Sequence, residues 1–142
     1  MHARREDYAY PMPYVKYYDK ARDYFKDRHQ DVKFVVLTSP DATSRKWCND
    51  NLIDKTNDTF LLPENSVEID MFILIHSDHV IISTGTFGWW GAWLNKNATV
   101  VKWNNLSRDR KWNSSDFYPD HWILLDGPDL GNYKQIKKWL SV

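Results

Sequence analysis

A single cysteine, Cys48, stands among the 142 residues, so no internal disulfide can hold the chain and the fold must rest on packing. Its neighbours Lys46, Trp47 and Asn49 mark a helix position, and a lone cysteine there reads as buried and structural rather than nucleophilic. Long apolar runs are also missing. None approaches the roughly 20 residues that cross a bilayer, and no charged start with an apolar core marks a signal peptide. Neither sign of charge dominates, with 19 Lys plus Arg against 19 Asp plus Glu, which removes the global field that recruits nucleic acid or anionic membrane. What is present is 42% hydrophobic content, enough for one globular domain over residues 1–142 and no sign of disorder.

Glycine is scarce, yet three of the five stand together in Ser83-Thr84-Gly85-Thr86-Phe87-Gly88-Trp89-Trp90-Gly91-Ala92-Trp93-Leu94. This stretch follows the apolar run His79-Val80-Ile81-Ile82 and opens a helix. A strand that ends in small and hydroxyl residues before a helix is suited to phosphate. Glycine lets the backbone approach an anion, and the unpaired amides and positive dipole end of the helix favour negative charge. At the other end of the chain, His2-Ala3-Arg4-Arg5-Glu6-Asp7-Tyr8 sets two arginines between a histidine and an aspartate. The guanidinium fork matches phosphate oxygens and could clamp a pyrophosphate that the helix end also faces.

With both elements in view, the chain resembles the GDP-fucose-using α1,2-fucosyltransferase family. That family carries a His-x-Arg-Arg-Gly-Asp-Tyr motif, with Glu6 here in the glycine position, and a Thr-Phe-Gly-Trp-Trp-Gly-Ala motif at a similar distance downstream. Thr38-Ser39 followed by Trp47-Cys48-x-x-Asn51-Leu52 is similar to its middle block. The resemblance implies fucose transfer from GDP-fucose to a galactose hydroxyl of a glycan, with inversion, no divalent metal and no cofactor. It also implies the nucleotide-binding half of a Rossmann-like, two-half glycosyltransferase, truncated at its amino end because the strand expected to carry the first motif lies ahead of residue 1. The alternative is a catalytically inactive nucleotide- or glycan-binding remnant; a third reading is transfer of a different sugar from GDP.

By the same resemblance Arg4 contacts the diphosphate, Arg5 helps to hold the motif, His2 touches the nucleotide and Asp7 braces the arginines. Arg4 and Asp7 are the catalytic candidates. His2, Arg4, Arg5, Ser83, Thr84, Gly85, Thr86, Phe87 and Gly88 form the expected nucleotide-sugar site. Asp7 is the one motif carboxylate that could serve as base, and a salt bridge to arginine would weaken it. Trp89, Trp90 and Trp93 could stack on a sugar or a guanine, but tryptophans at helical spacing more often pack a core. His76-Ser77-Asp78-His79 brings two histidines and an aspartate close together as a metal site would, but lacks a second carboxylate cluster.

Four acceptor sequons, at Asn57, Asn97, Asn105 and Asn113, fit a secretory-pathway protein on the lumenal side of the Golgi membrane, with any membrane anchor upstream. Without them the chain would read as cytoplasmic. Helical spacing of Tyr14, Tyr17, Tyr18, Ala21, Tyr24 and Phe25 predicts an amphipathic helix. Strands are predicted at Val32–Thr38, Thr59–Leu62, His79–Ser83, Ala98–Trp103 and Trp122–Leu125. Helices are expected from Asp41 or Thr43 to Leu52, from Ser66 with Ile69, Phe72, Ile73 and His76 inward, from Phe87 to Leu94 and from Asn132 to Leu140. The alternation argues for an α/β fold with a parallel sheet covered on both faces and ligand at the carboxyl ends of its strands.

Overall fold

The computed structural model describes residues 1–5, 12–53, 57–103 and 116–125. Its elements alternate as α1 Val15–Lys26, β1 Phe34–Val36, α2 Ala42–Cys48, β2 Thr59–Leu61, α3 Val67–His76, β3 His79–Ile82, α4 Thr86–Leu94, β4 Thr99–Trp103 and β5 Ile123–Leu125. A π-helical turn, Asn49–Ile53, extends α2. All strand pairs are parallel: β1 with β2, β3 with β4 and β4 with β5. The helix expected after residue 131 lies outside the described residues.

The two small sheets are joined by the amino-terminal segment. His2 bridges in parallel to both Leu37 and Ile82. The Ala3 N–H donates to the Leu37 carbonyl at 2.8 Å and the Leu37 N–H to the Met1 carbonyl at 2.9 Å. On the other side the His2 N–H donates to Ile81 at 2.8 Å and the Ser83 N–H to His2 at 3.2 Å. Met1–Ala3 thus lie between β1 and β3 and pair with both.

Because strand side chains alternate, the buried residues fall on two faces. On one, Tyr17, Tyr18, Ala21 and Phe25 of α1 pack with Cys48 and Leu52 against Ala3, Val36, Ile81 and Val101. On the other, Leu74 of α3 and Ala92 of α4 meet Val80, Ile82 and Val100. Tyr17, Tyr18, Leu74, Val80 and Val101 are at most 1% exposed, and full burial of an aliphatic or aromatic side chain contributes roughly 1.5–3 kcal/mol. The Tyr17 hydroxyl donates to the Ile82 carbonyl at 2.6 Å, so α1 is pinned to the sheet by a polar contact as well as by packing.

Asp41 caps α2 by accepting from the Ser44 N–H at 2.8 Å, one of the two caps expected from sequence. For α3 the inward face differs from expectation. Leu74 is buried, whereas Ile69 and Phe72 are 50% and 61% exposed and His76 is exposed. The helix is apolar almost all round, so its periodicity does not select a face. The choice is made by α4, where Gly91 leaves room for Leu74: a Cβ on Gly91 would lie 2.7 Å from Leu74 Cβ.

Candidate functional site

The carboxyl ends of the central segment and of β3 converge on the start of α4. Ser83, directly after β3, accepts the Arg4 N–H on its Oγ at 2.9 Å, and Thr38 after β1 donates its hydroxyl to the Ala3 carbonyl at 2.7 Å. These two hydroxyls fix the backbone where Arg4 leaves the sheet. Their neighbourhood in sequence to apolar strand ends is the available signal, and the sequence marks Thr38 only through its place in the Thr38-Ser39 block.

Gly85 caps α4 with φ 103° and ψ 155°, a region open essentially to glycine alone. No side chain caps the helix and its first turn carries no acidic residue. The amides of that turn are therefore directed at whatever lies before it. The Arg4 side chain runs over Gly85 so closely that a Cβ there would lie 2.8 Å from Arg4 Cδ and 3.1 Å from Nη1. A guanidinium beside the positive end of a helix is electrostatically unfavourable by itself and becomes favourable when an anion sits between them. Gly85 and Thr86 are exposed and Thr84 half-buried, so the backbone here is open to a ligand.

His2 lies behind this turn. It is 8% exposed, with its ring 5.4 Å from that of Phe87. A Cβ on Gly88 would lie 2.6 Å from His2 Nδ1. Burial first, then the positive charges of the Met1 amino group and Arg4, push its pKa down to about 3. The imidazole is therefore neutral at physiological pH, and its buried Nδ1 has no hydrogen-bond partner among the described residues. Arg5 goes elsewhere: its guanidinium stacks 3.6 Å over the Trp47 ring and donates to the Pro13 carbonyl at 3.1 Å. Asp7 lies outside the described residues.

The tryptophans divide. Trp89 packs against the core, stacks on Trp93 at 5.2 Å and donates its indole N–H to the Phe117 carbonyl at 2.7 Å. Trp90 and Trp93 are 50% and 41% exposed, so core packing accounts for only the first. His76 stacks on Phe72, while His79 stacks on Phe25 on the opposite face, so the two histidines of the His76–His79 stretch have different neighbours. Among the described residues no group of three His, Cys, Asp or Glu side chains is placed to hold a metal ion. Cys48 is buried, and burial raises its thiol pKa. Asn57 and Asn97 are exposed, and Asn105 and Asn113 lie outside the described residues. No described helix is long and apolar enough to cross a membrane.

Residues 1–126 match the model of glycosyl transferase family 11. The chain is 32% identical over 157 aligned positions to galactoside alpha-(1,2)-fucosyltransferase 2 of Bos taurus, covering all of this chain and 40% of that protein. It is 34% identical over 112 positions to galactoside alpha-(1,2)-fucosyltransferase 1 of Rattus norvegicus, covering 70% and 28%. It is 26% identical over 137 positions to alpha-1,2-colitosyltransferase of Escherichia coli, covering 89% and 47%. The chain thus spans less than half the length of these relatives. No solved structure matches it.

Proposed function

The chain belongs to glycosyl transferase family 11, and from that membership we propose that it forms the GDP-sugar-binding half of a Rossmann-like α1,2-fucosyltransferase. The observation that supports this reading most directly is Arg4 lying across Gly85 at the uncapped start of α4. Two independent sources of positive potential meet there at the carboxyl ends of parallel strands, where such sheets take their ligands.

In this reading the acceptor hydroxyl of a galactose attacks the anomeric carbon of fucose from the face opposite the diphosphate. The new C–O bond forms as the bond to the β-phosphate oxygen breaks, GDP leaves with the electron pair, and the hydroxyl proton passes to a base. Arg4 and the amides after Gly85 stabilise the charge that grows on the departing diphosphate, which is electrostatic catalysis. Thr84 and Thr86 offer hydroxyls to the same oxygens. Neutral His2 supports the turn from behind. No metal is invoked, and the acceptor site belongs to the remainder of a longer enzyme.

The test is calorimetric titration of the protein with GDP and GDP-fucose in chelator. Saturable binding that Arg4→Ala abolishes, with thermal unfolding nearly unchanged, is the expected result. Unaltered binding in that variant removes the assignment. Relatives named for fucose and for colitose make the donor sugar a separate question, answered by competition between GDP-sugars. A lumenal setting follows from the sequons, supported by the exposure of Asn57 and Asn97. Loss of mass on peptide-N-glycosidase treatment of the protein from its natural source is the expected check.

A further inference from the structure

The strand pairings set Leu37, His2, Ile82, Lys102 and Leu124 side by side across the carboxyl end of the strands. Paired residues of neighbouring parallel strands point to the same face, here the face covered by α3 and α4, where Leu37 and Ile82 pack. Within this row His2 already meets Phe87 of α4. Lys102 stands on the other side of Ile82, about 4.8 Å away across the ladder, and Ile82 leads directly into Ser83 and the turn that opens α4.

Lys102 is 8% exposed, and its Nζ lies 4.4 Å from the centre of the Tyr118 ring. Tyr118 packs on the same cluster as Phe87 and Trp89, and the Phe117 carbonyl, one residue earlier, accepts the Trp89 indole N–H at 2.7 Å. Lys102 therefore sits beside the part of the sheet that the start of α4 covers. Among the described residues no hydrogen bond or ion pair engages its Nζ. Nor is Nζ one of the fully enclosed unpartnered atoms, so the stem is buried while the head can be reached from outside. Burial lowers its pKa from the usual lysine value, and the charge of Asp120 opposes that shift without forming an ion pair. A ring face compensates an ammonium only in part for lost water, and an anion does so more fully.

We propose that Lys102 is a second side-chain cation of the diphosphate site, its ammonium reaching from the Tyr118 ring to the phosphate oxygens that Arg4 and the amides of α4 also bind. The proposal rests on the GDP-sugar reading given above. Arg4 leaves the segment on one side of β3 and Lys102 belongs to the strand on the other, so the two cations flank the turn from β3 into α4. A diphosphate carries more than one negative charge, and a guanidinium with the amides of one helix leaves part of it uncompensated. Lysine suits the second position because its flexible stem carries a compact charge to an oxygen without a fixed approach geometry.

The experiment is calorimetric titration of the 142-residue protein with GDP in chelator, wild type beside Lys102→Met and Lys102→Arg, joined to acylation by an amine-reactive ester read by peptide mass. Lys102→Met should weaken GDP about tenfold or more through loss of a charge-assisted contact, and Lys102→Arg should recover part of the affinity. The urea midpoint of Lys102→Met should not fall, because methionine keeps an apolar stem and removes an unpaired ammonium. In the wild type GDP should slow acylation of Lys102 about tenfold or more, while Lys96, which lies over the Trp93 ring at the far end of α4, reacts as before. That readout needs no variant and stands even where a substitution fails to fold. Affinity of Lys102→Met within a factor of about two of wild type, or acylation of Lys102 unaffected by bound GDP, overturns the proposal and leaves the Arg4 site in place. Equal losses in both variants with a lowered urea midpoint make Lys102 a structural residue and overturn it as well. Failure of the wild type to bind GDP removes the GDP-sugar reading itself, and the proposal with it.

Discussion

The Arg4 side chain occupies the space that any Cβ on Gly85 would need, with Cδ 2.8 Å from the ideal position. The two residues are 81 positions apart in sequence and together form the start of the candidate phosphate site. Gly85→Ala forces a left-handed backbone on alanine and displaces the guanidinium at once. The expected cost is about 1–3 kcal/mol of stability, read by urea denaturation, with GDP affinity reduced by about tenfold or more, since that corresponds to about 1.4 kcal/mol of lost interaction. Full affinity in a folded Gly85→Ala protein would show that Arg4 does not need this path.

Gly88 and Gly91 provide an internal comparison. A Cβ on Gly88 meets His2 Nδ1 at 2.6 Å, and one on Gly91 meets Leu74 Cβ at 2.7 Å. Each alanine overpacks its contact and should destabilise by about 1–3 kcal/mol. Only Gly88→Ala pushes on the segment that carries Arg4. It should weaken GDP binding by calorimetry, while Gly91→Ala, which strains only the α3 contact, should leave affinity within a factor of about two. Equal losses in both would mean that the effect on binding is merely one of stability.

Burial holds the His2 pKa at about 3, below the ordinary value near 6.5. The unfolded chain therefore binds a proton that the folded chain refuses throughout that interval, so stability is present above about pH 6.5 and is lost as pH falls toward 3. Each unit of difference is worth about 1.4 kcal/mol, so roughly 2–3 kcal/mol should be lost between pH 6.5 and 4.5. His2→Leu, which cannot titrate, should flatten this slope in denaturation midpoints measured across the interval. An unchanged slope would place the acid sensitivity in other groups.

Several features that decide the fold were not legible in the sequence for a common reason: they depend on a partner distant in the chain. The alternation of helices and strands, the Asp41 cap and the α1 stripe could be read because each is local. Arg22 could not. It sits within that stripe as a cation, yet it is 5% exposed and donates to the Leu52 carbonyl at 2.9 Å and to Thr59 Oγ1 at 3.1 Å. Its position four residues after Tyr18 was the only sign. The α3 face is the same case, since an all-apolar helix is oriented by Gly91 of its neighbour rather than by its own period. At the candidate site the glycines and arginines were visible as residue types. The division of labour between Arg4 over Gly85 and Arg5 over Trp47 was visible only in three dimensions.

Arg22 also yields a prediction confined to stability. Arg22→Ala leaves the Leu52 carbonyl and Thr59 hydroxyl buried with fewer partners and releases Asp19, whose Oδ1 accepts from Nη2 at 2.5 Å. Loss of such a buried, charge-assisted network costs about 3 kcal/mol. Urea midpoints should fall accordingly, with GDP affinity of the remaining folded protein unchanged. A loss smaller than about 1 kcal/mol would mean that water replaces the guanidinium readily.

The two adjacent arginines should separate cleanly. Arg5 stacks 3.6 Å over Trp47 and bonds the Pro13 carbonyl at 3.1 Å, so it ties the amino-terminal segment to α2 and to the approach to α1. A partly desolvated cation–π contact with one hydrogen bond contributes about 1–2 kcal/mol. Arg5→Ala should therefore lower stability by that amount and change GDP affinity only a few-fold, whereas Arg4→Ala should do the reverse. Lysine sharpens the contrast. Arg4→Lys keeps a charge but loses the planar fork, and should recover only part of the affinity. Arg5→Lys retains a cation without the stacked guanidinium and should recover only part of the stability. The comparison needs both readouts on all four variants, because a single assay cannot distinguish a weakened site from a weakened fold. If Arg5→Ala abolished GDP binding in a protein of unchanged stability, the phosphate contact would belong to Arg5, and the path of Arg4 across Gly85 would have to be a structural one.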